Sequence, residues 1–218
     1  MKRSHLLGAW LAGTASLCVA GTANAAFVMT IDDLATIGTD VTVTDSNNDG
    51  LVSFLGAVGA YGVNVTTGIS VPLATGSQLL HLNSIDVSGG AGDLVISLTD
   101  TDYTGSPPAF DGLFGGTAAP GGSIDFDFYY DDGNAQFGTA EQIFSATNNQ
   151  NALSGGGSSP ASVTDPYSLT IIATIHHTVA GVSSFDAEIR AVPVPVAAWQ
   201  FGSGLLGLAG MARRSKAV

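Results

Sequence analysis

Apolar and polar residues alternate with a period of two through most of residues 26–192. Leu94, Ile96 and Leu98 share one phase against Val95, Ser97 and Thr99. Ile124, Phe126, Phe128 and Tyr130 stand against Asp125, Asp127, Tyr129 and Asp131. The same holds for Leu169, Ile171, Ala173 and Ile175 against Thr170, Ile172, Thr174 and His176, and for Tyr61, Val63 and Val65 against Asn64 and Thr66. This period sends successive side chains to opposite faces of a strand, and the Val, Ile, Thr and aromatic content suits a half-buried pleated surface. Between Leu80 and Val87 the apolar phase flips near Asn83-Ser84, which predicts a bulge or bend. No window in this region has comparable helical spacing.

Turn signals divide the runs: Asn47-Asn48-Asp49-Gly50, Gly89-Gly90-Ala91-Gly92, Asp132-Gly133-Asn134 and Ala180-Gly181. Two stretches read as long loops. One is Thr104 to Gly122, with Pro107-Pro108 and two Gly-Gly pairs, and the other is the Gly/Ser-rich Ser154 to Pro160. Eight to ten short strands at this spacing predict an all-β fold, a single antiparallel β-sandwich of jelly-roll or immunoglobulin-like kind. No internal repeat is visible, which counts against a β-helix or propeller.

Charge sharpens the picture. The chain has 218 residues, 18 of them acidic and 6 basic, and only 11% are charged. Lys2 and Arg3 open the chain, while Arg213, Arg214 and Lys216 close it. Residues 26–192 therefore hold all 18 acidic side chains against Arg190 alone, a net charge of −17. Such a surface repels phosphates, so nucleic acid is not a partner.

Lys2-Arg3, the apolar run Leu6 to Ala20 and Ala23-Asn24-Ala25 form the three parts of a secretory signal peptide over residues 1–25, with cleavage after Ala25 by signal peptidase. The single cysteine, Cys18, lies inside that run, so no disulfide braces residues 26–192. At the other end, Val192-Pro193-Val194-Pro195 precedes an apolar run from Val196 to Ala212, followed by Arg213-Arg214. The prolines set a helix start, and the run is at the short limit for crossing a bilayer. The arginines behind it would stay in the cytoplasm. This reads as a stop-transfer helix with the acidic body outside.

Proline motif, apolar Gly/Leu-rich helix and terminal arginine cluster together resemble the PEP-CTERM sorting tail, here over residues 193–218 and in a VPxP form with Val194 in place of Glu. The wording of Ser168 to Ile171 and Ser184 to Glu188 is similar to the last strands of that family's passenger domains. The resemblance implies transient anchoring in the inner membrane and cleavage near the proline motif by an exosortase-type enzyme. It implies release to the surface or extracellular matrix of a Gram-negative bacterium that makes exopolysaccharide.

Candidate chemistry is sparse. Asp45-Ser46-Asn47-Asn48-Asp49-Gly50 has the opening of a calcium loop, with Asp45, Asn47 and Asp49 as oxygen ligands and Leu51 supplying a carbonyl. Position twelve is Gly56 instead of Glu, and strand-like flanks exclude an EF-hand. An Asx-rich hairpin turn explains the same residues. Asp125, Asp127 and Asp131, with Asp132 beside them, and the pair Asp100 and Asp102 either bridge a cation or solvate an outer face, the second being the simpler reading. His176 and His177 point to opposite faces, one a surface side chain and the other a capped core residue. Neither G-x-S-x-G nor H-E-x-x-H is present. Both tryptophans, Trp10 and Trp199, lie in the terminal segments, so sugar stacking would fall to Tyr103, Tyr129 or Tyr130.

These observations predict a non-enzymatic exported protein of the cell surface or biofilm matrix. No cofactor is required, Ca2+ is the ion the loop would take, and exopolysaccharide is the partner. The alternative is a calcium-assisted carbohydrate-binding or adhesion module. An exported hydrolase is the third reading.

Overall fold

The inward phases of the alternating runs meet in one core. In the computed structural model, which describes residues 27–70 and 79–192, Leu94, Ile96, Leu98, Ile124, Phe126, Phe128, Leu169, Ile171, Ala173 and Ile175 are all fully buried. They form one side of a continuous cluster whose other side is Tyr61, Val63, Val65, Leu80, Leu82, Ile85, Phe185 and Ile189. Phe126 sits at its centre, stacked on Phe114 (4.4 Å between ring centroids) and edge-on to Phe185 (5.3 Å). Aromatic pairs in these geometries add to what area burial alone contributes.

Among the described residues twelve strands carry this core: β1 (Val28–Asp33), β2 (Val41–Thr44), β3 (Leu51–Val58), β4 (Tyr61–Ser70), β5 (Leu79–Gly89), β6 (Gly92–Tyr103), β7 (Ala109–Thr117), β8 (Ser123–Asp131), β9 (Glu141–Asn148), β10 (Ala152–Pro160), β11 (Tyr167–His177) and β12 (Gly181–Val192). They make two six-stranded antiparallel sheets, ordered β2-β1-β6-β11-β8-β9 and β10-β7-β12-β5-β4-β3. No helix occurs among the described residues. Strands β5 to β12 follow the jelly-roll order, crossing between the sheets at every connection except the β8–β9 hairpin. The β1–β2 hairpin widens the first sheet and the β3–β4 hairpin widens the second. Because every strand reverses the last, the start of β1, the end of β12 and the 45–50 loop lie at the same end of the sandwich.

The phase flip at Asn83-Ser84 is a bulge. Ile85 faces Phe185 and Leu82 faces Ala187, so Asn83 and Ser84 stand opposite Asp186 alone. Ser84 takes a left-handed conformation (φ 52°), and its N–H donates to Asp186 Oδ1 at 2.7 Å.

Two expectations need correction. Twelve strands form where eight to ten were predicted, because both supposed long loops contain strands. Ala109–Thr117 is β7 and pairs on both sides. Ala152–Pro160 is β10, the edge strand beyond it. Glycine serves packing there: a Cβ on Gly155 would lie 2.6 Å from the Phe114 ring, and one on Gly157 would overlap Phe144. The aromatic rings fill the space that larger β10 residues would occupy. Residues 1–25 and 193–218, the signal peptide and sorting tail of the sequence reading, lie outside the described residues, as do Ala23, Ala25, Pro193, Val194, Pro195, Arg213 and Arg214. Val192 is described and closes β12, opposite Ala109.

Candidate functional site

The 45–50 loop joins β2 to β3, and its side chains bind its own backbone. Asp45 is buried, and its Oδ1 accepts the N–H groups of Asn47 (3.2 Å) and Asp49 (3.4 Å), while Oδ2 accepts that of Gly50 (2.8 Å). Asp49 Oδ1 accepts the Leu51 N–H at 3.0 Å, and Asn47 Nδ2 donates to Asp49 Oδ2 at 2.8 Å. These are Asx-turn bonds. Gly50 is needed because φ is +75° and a Cβ would overlap the Ser70 carbonyl. Asp45, Asn47 and Asp49 are thus brought together, with Leu51 adjoining. Among the described residues no group of three or more His, Cys, Asp or Glu side chains is placed to hold a metal ion.

Asp100 corrects the expectation of a solvated face. It is 1% exposed, accepts bonds from the Ser70 hydroxyl and the Thr101 N–H (2.8 Å), and lies beside Tyr103, whose hydroxyl bonds Ser70 Oγ at 2.6 Å. Burial pushes its carboxyl up to about 6, against the lowering effect of the Ser70 and Thr101 bonds, and Asp102 and Asp45 raise it further. Asp102 is held by Asn134, which accepts its N–H (2.8 Å) and donates to its Oδ1 (2.6 Å).

The two histidines divide as their alternation requires. His177 is buried, with Nδ1 on the Gly89 carbonyl at 3.0 Å and Nε2 on Ser183 Oγ at 2.9 Å. His176, on the outer face of the first sheet, bridges neighbouring strands: Nδ1 to Asp93 Oδ1 at 2.8 Å and Nε2 to Asp125 Oδ2 at 3.0 Å. Partial burial lowers its pKa, but the two carboxylates outweigh that and raise it. The Asp125–Asp132 cluster is therefore dispersed among separate partners. Asp125 holds His176, Asp127 receives Gln142 Nε2 at 3.4 Å, Asp131 accepts the Gly133 N–H at 2.6 Å, and Asp132 accepts that of Thr164 at 3.1 Å. Tyr103 is fully buried and Tyr130 nearly so, which leaves Tyr129 as the accessible member of the predicted stacking set.

The outer face of the second sheet is organised differently, and no sequence motif marked it. One open depression of about 180 Å³ is lined by His81, Leu113, Gly115, Asp186 and Glu188. A second, of about 360 Å³, is lined by Leu55, Ala57, Gly62, Asn64, Asp86 and Ser88. Strand register places both on the same sheet face. Glu188 lies opposite both Leu113 and His81, Asp86 lies opposite both Ser184 and Asn64, and Asn64 lies opposite Leu55. From β7 to β3 the surface crosses four strand spacings, roughly 19 Å. Glu188 pairs with Arg190 at 2.5 Å, and Asp186 holds the Ser84 bulge. The side chains of His81, Asn64 and Asp86 make no hydrogen bond to another described residue. This face thus offers donors and acceptors beside the aliphatic surfaces of Leu113 and Leu55.

No family model matches the chain, and no curated protein does. Solved structures with a similar arrangement include the CBM22-1 xylan-binding domain of Paenibacillus barcinonensis Xyn10C, at 14% identity over 67% of this chain and 88% of that one, with a TM-score of 0.35. A PA14 sugar-binding domain from an RTX adhesin matches at 10% identity over 73% and 86%, also with a TM-score of 0.35. The enzymatically active domain of bacteriophage CBA120 tailspike protein 4 matches at 13% identity and a TM-score of 0.34. This chain covers 18% of that one's length. Likenesses of this size carry no argument about what this chain binds.

Proposed function

We propose that the chain is an exported, non-catalytic surface or matrix protein whose β-sandwich holds a polysaccharide across the outer face of its second sheet. The observation that carries this reading is the pair of depressions on this face, where the side chains of His81, Asn64 and Asp86 make no hydrogen bond to another described residue and lie next to exposed Leu55 and half-buried Leu113. Sugars present hydroxyl groups around apolar C–H surfaces, and a site for them needs that same mixture. The extent of the face suits an oligosaccharide segment better than a single sugar. Its carboxylates, within a body of net charge −17, favour a neutral or amino-bearing polymer over an acidic one.

Export follows from the signal-peptide pattern of residues 1–25, and sorting from the proline, apolar and arginine order of the tail. Strand β12, which precedes the tail in sequence, finishes at the end of the sandwich that carries the 45–50 loop. Asp100, whose carboxyl is raised toward neutrality by burial, lies beneath Ser70 and is withheld from a substrate.

Binding of the full chain to an array of neutral, amino-bearing and acidic glycans, with calcium and with chelator, tests the reading. Retention on neutral or amino-bearing glycans is the expected outcome, and binding to acidic glycans alone contradicts it. Mass spectrometry of the protein recovered from the cell surface tests the sorting. The expected termini are Ala26 and a residue between Val192 and Pro195, and an intact Trp199 contradicts cleavage.

A further inference from the structure

Strand register sets the carboxylates of the second sheet's outer face along one diagonal track. Asp111 of β7 lies opposite Arg190 of β12, and Asp86 of β5 lies opposite Ser184 of β12. Between those two rows β12 itself sends Glu188 and Asp186 outward. Each of four successive rows therefore holds one carboxylate, and the track steps from β7 through β12 to β5. Successive members are diagonal cross-strand neighbours or lie two residues apart on one strand, with Cα separations of about 7–8 Å. The whole track is roughly 20 Å long.

The track meets both depressions, since Glu188 and Asp186 line the first and Asp86 lines the second. Arg190, paired with Glu188, is the only Lys or Arg among the described residues. The side chains of Asp111 and Asp86, at the two ends, make no hydrogen bond or ion pair with another described residue. Asp186 uses Oδ1 on the Ser84 N–H, and Glu188 uses Oε1 on Arg190, so each keeps its second oxygen. The first sheet differs: there Asp93 and Asp125 share His176, and Asp127 receives Gln142.

Charge complementarity along this track selects among polymers. A neutral sugar chain laid over it would take carboxylates out of water against hydroxyl groups alone, which is costly. Ammonium groups supply both the opposite charge and strong N–H donors. An acidic chain is repelled.

We propose that the polysaccharide held on this face carries free amino groups, and that its ammonium groups lie along Asp111, Glu188, Asp186 and Asp86. The proposal rests on the polysaccharide reading of the face and adds the chemical class of the sugar.

Calorimetric titration of the full chain in mild detergent tests it, with a glucosamine oligosaccharide and the same oligosaccharide acetylated at every amine. The amine form should bind at least about tenfold more tightly, and added salt should shrink that advantage. Asp86→Asn combined with Asp111→Asn should erase most of the advantage without changing the melting temperature. Asp127→Asn, on the other sheet, should leave it intact. Equal binding of both forms, weakened alike by His81→Ala, overturns the amine proposal and leaves the polysaccharide reading standing. Binding of neither form also overturns it, and the polysaccharide reading then stands or falls on the glycan array. An advantage untouched by the Asp86 and Asp111 substitutions overturns it by placing the amines elsewhere. An oligolysine that binds as tightly as the amino sugar overturns it too, because charge alone would then be recognised.

Discussion

The two outer faces of the sandwich are built from the same alternation and end in opposite states. On the first sheet, outward polar groups hold one another: His176 ties Asp93 to Asp125 across three adjacent strands, and Gln142 reaches both Asp127 and Tyr129. On the second sheet, the side chains of His81, Asn64 and Asp86 make no hydrogen bond to another described residue and stand beside Leu55 and Leu113. Short residues make the difference possible. Gly62 and Gly115 line the depressions where the first sheet carries Thr and Asp, so the second face is hollowed while the first is filled. An outward polar residue therefore indicates a binding face only when its neighbours leave it unbonded.

The largest expected effect comes from the support both faces share. Phe126→Ala removes a ring stacked on Phe114 and edge-on to Phe185, and should cost roughly 3–5 kcal/mol in urea unfolding. Sugar binding should be lost only as the protein unfolds, and loss of binding with stability intact would separate the face from its core.

The next effect is in pH dependence. The buried Asp100 has a folded value of about 6 against about 3.9 for an unfolded aspartate. Stability from this group is therefore fully present below about pH 3.9 and is lost as pH rises through about 6. Asp100→Asn should flatten that part of the stability curve in melting experiments, and an unchanged slope would assign it to other groups.

Substituting one histidine on each face sharpens the contrast. His81→Ala should weaken glycan binding about tenfold, about 1.4 kcal/mol, with an unchanged melting temperature. His176→Ala should leave binding alone. Its effect on stability, the smallest of these, follows from a folded pKa raised by Asp93 and Asp125 against the lowering by burial. The stabilisation is full below about pH 6.5, the unfolded value, and fades as pH rises through the raised folded value. Melting curves of the parent and His176→Ala should therefore differ at pH 6 and converge toward alkaline pH. Both side chains are partly exposed in each ion pair, so the difference should be small and diminished by salt.

Much of the fold was legible where inward residues were large. The runs Ile124 to Tyr130 and Leu169 to Ile175 alternate without interruption, and both became central strands. The flip at Asn83-Ser84 foretold a bulge, and the order Asp45 to Gly50 foretold an Asx turn, because each is a local property of consecutive residues. Strand β10 was illegible because its inward positions include Gly155 and Gly157, and the apolar bulk over them belongs to Phe114 and Phe144 on other strands. Asp100 was misplaced for a related reason. Its partner Ser70 is 30 positions away, and no spacing within Asp100-Thr101-Asp102 announces it. The candidate site was illegible altogether. Leu55, Asn64, His81, Leu113 and Glu188 come from five strands and share a face only through the strand order of the second sheet.

The most direct test of the account is affinity electrophoresis of the full chain through gels containing the neutral or amino-bearing polysaccharide selected by the array. The parent should be retarded, and His81→Ala combined with Asn64→Ala should abolish the retardation without altering the circular dichroism or the melting temperature. Ser97→Ala combined with Thr174→Ala, on the first sheet's outer face, should migrate like the parent. If the second-sheet variant is still retarded, or if the first-sheet variant alone loses retardation, the second sheet is not the glycan-binding face.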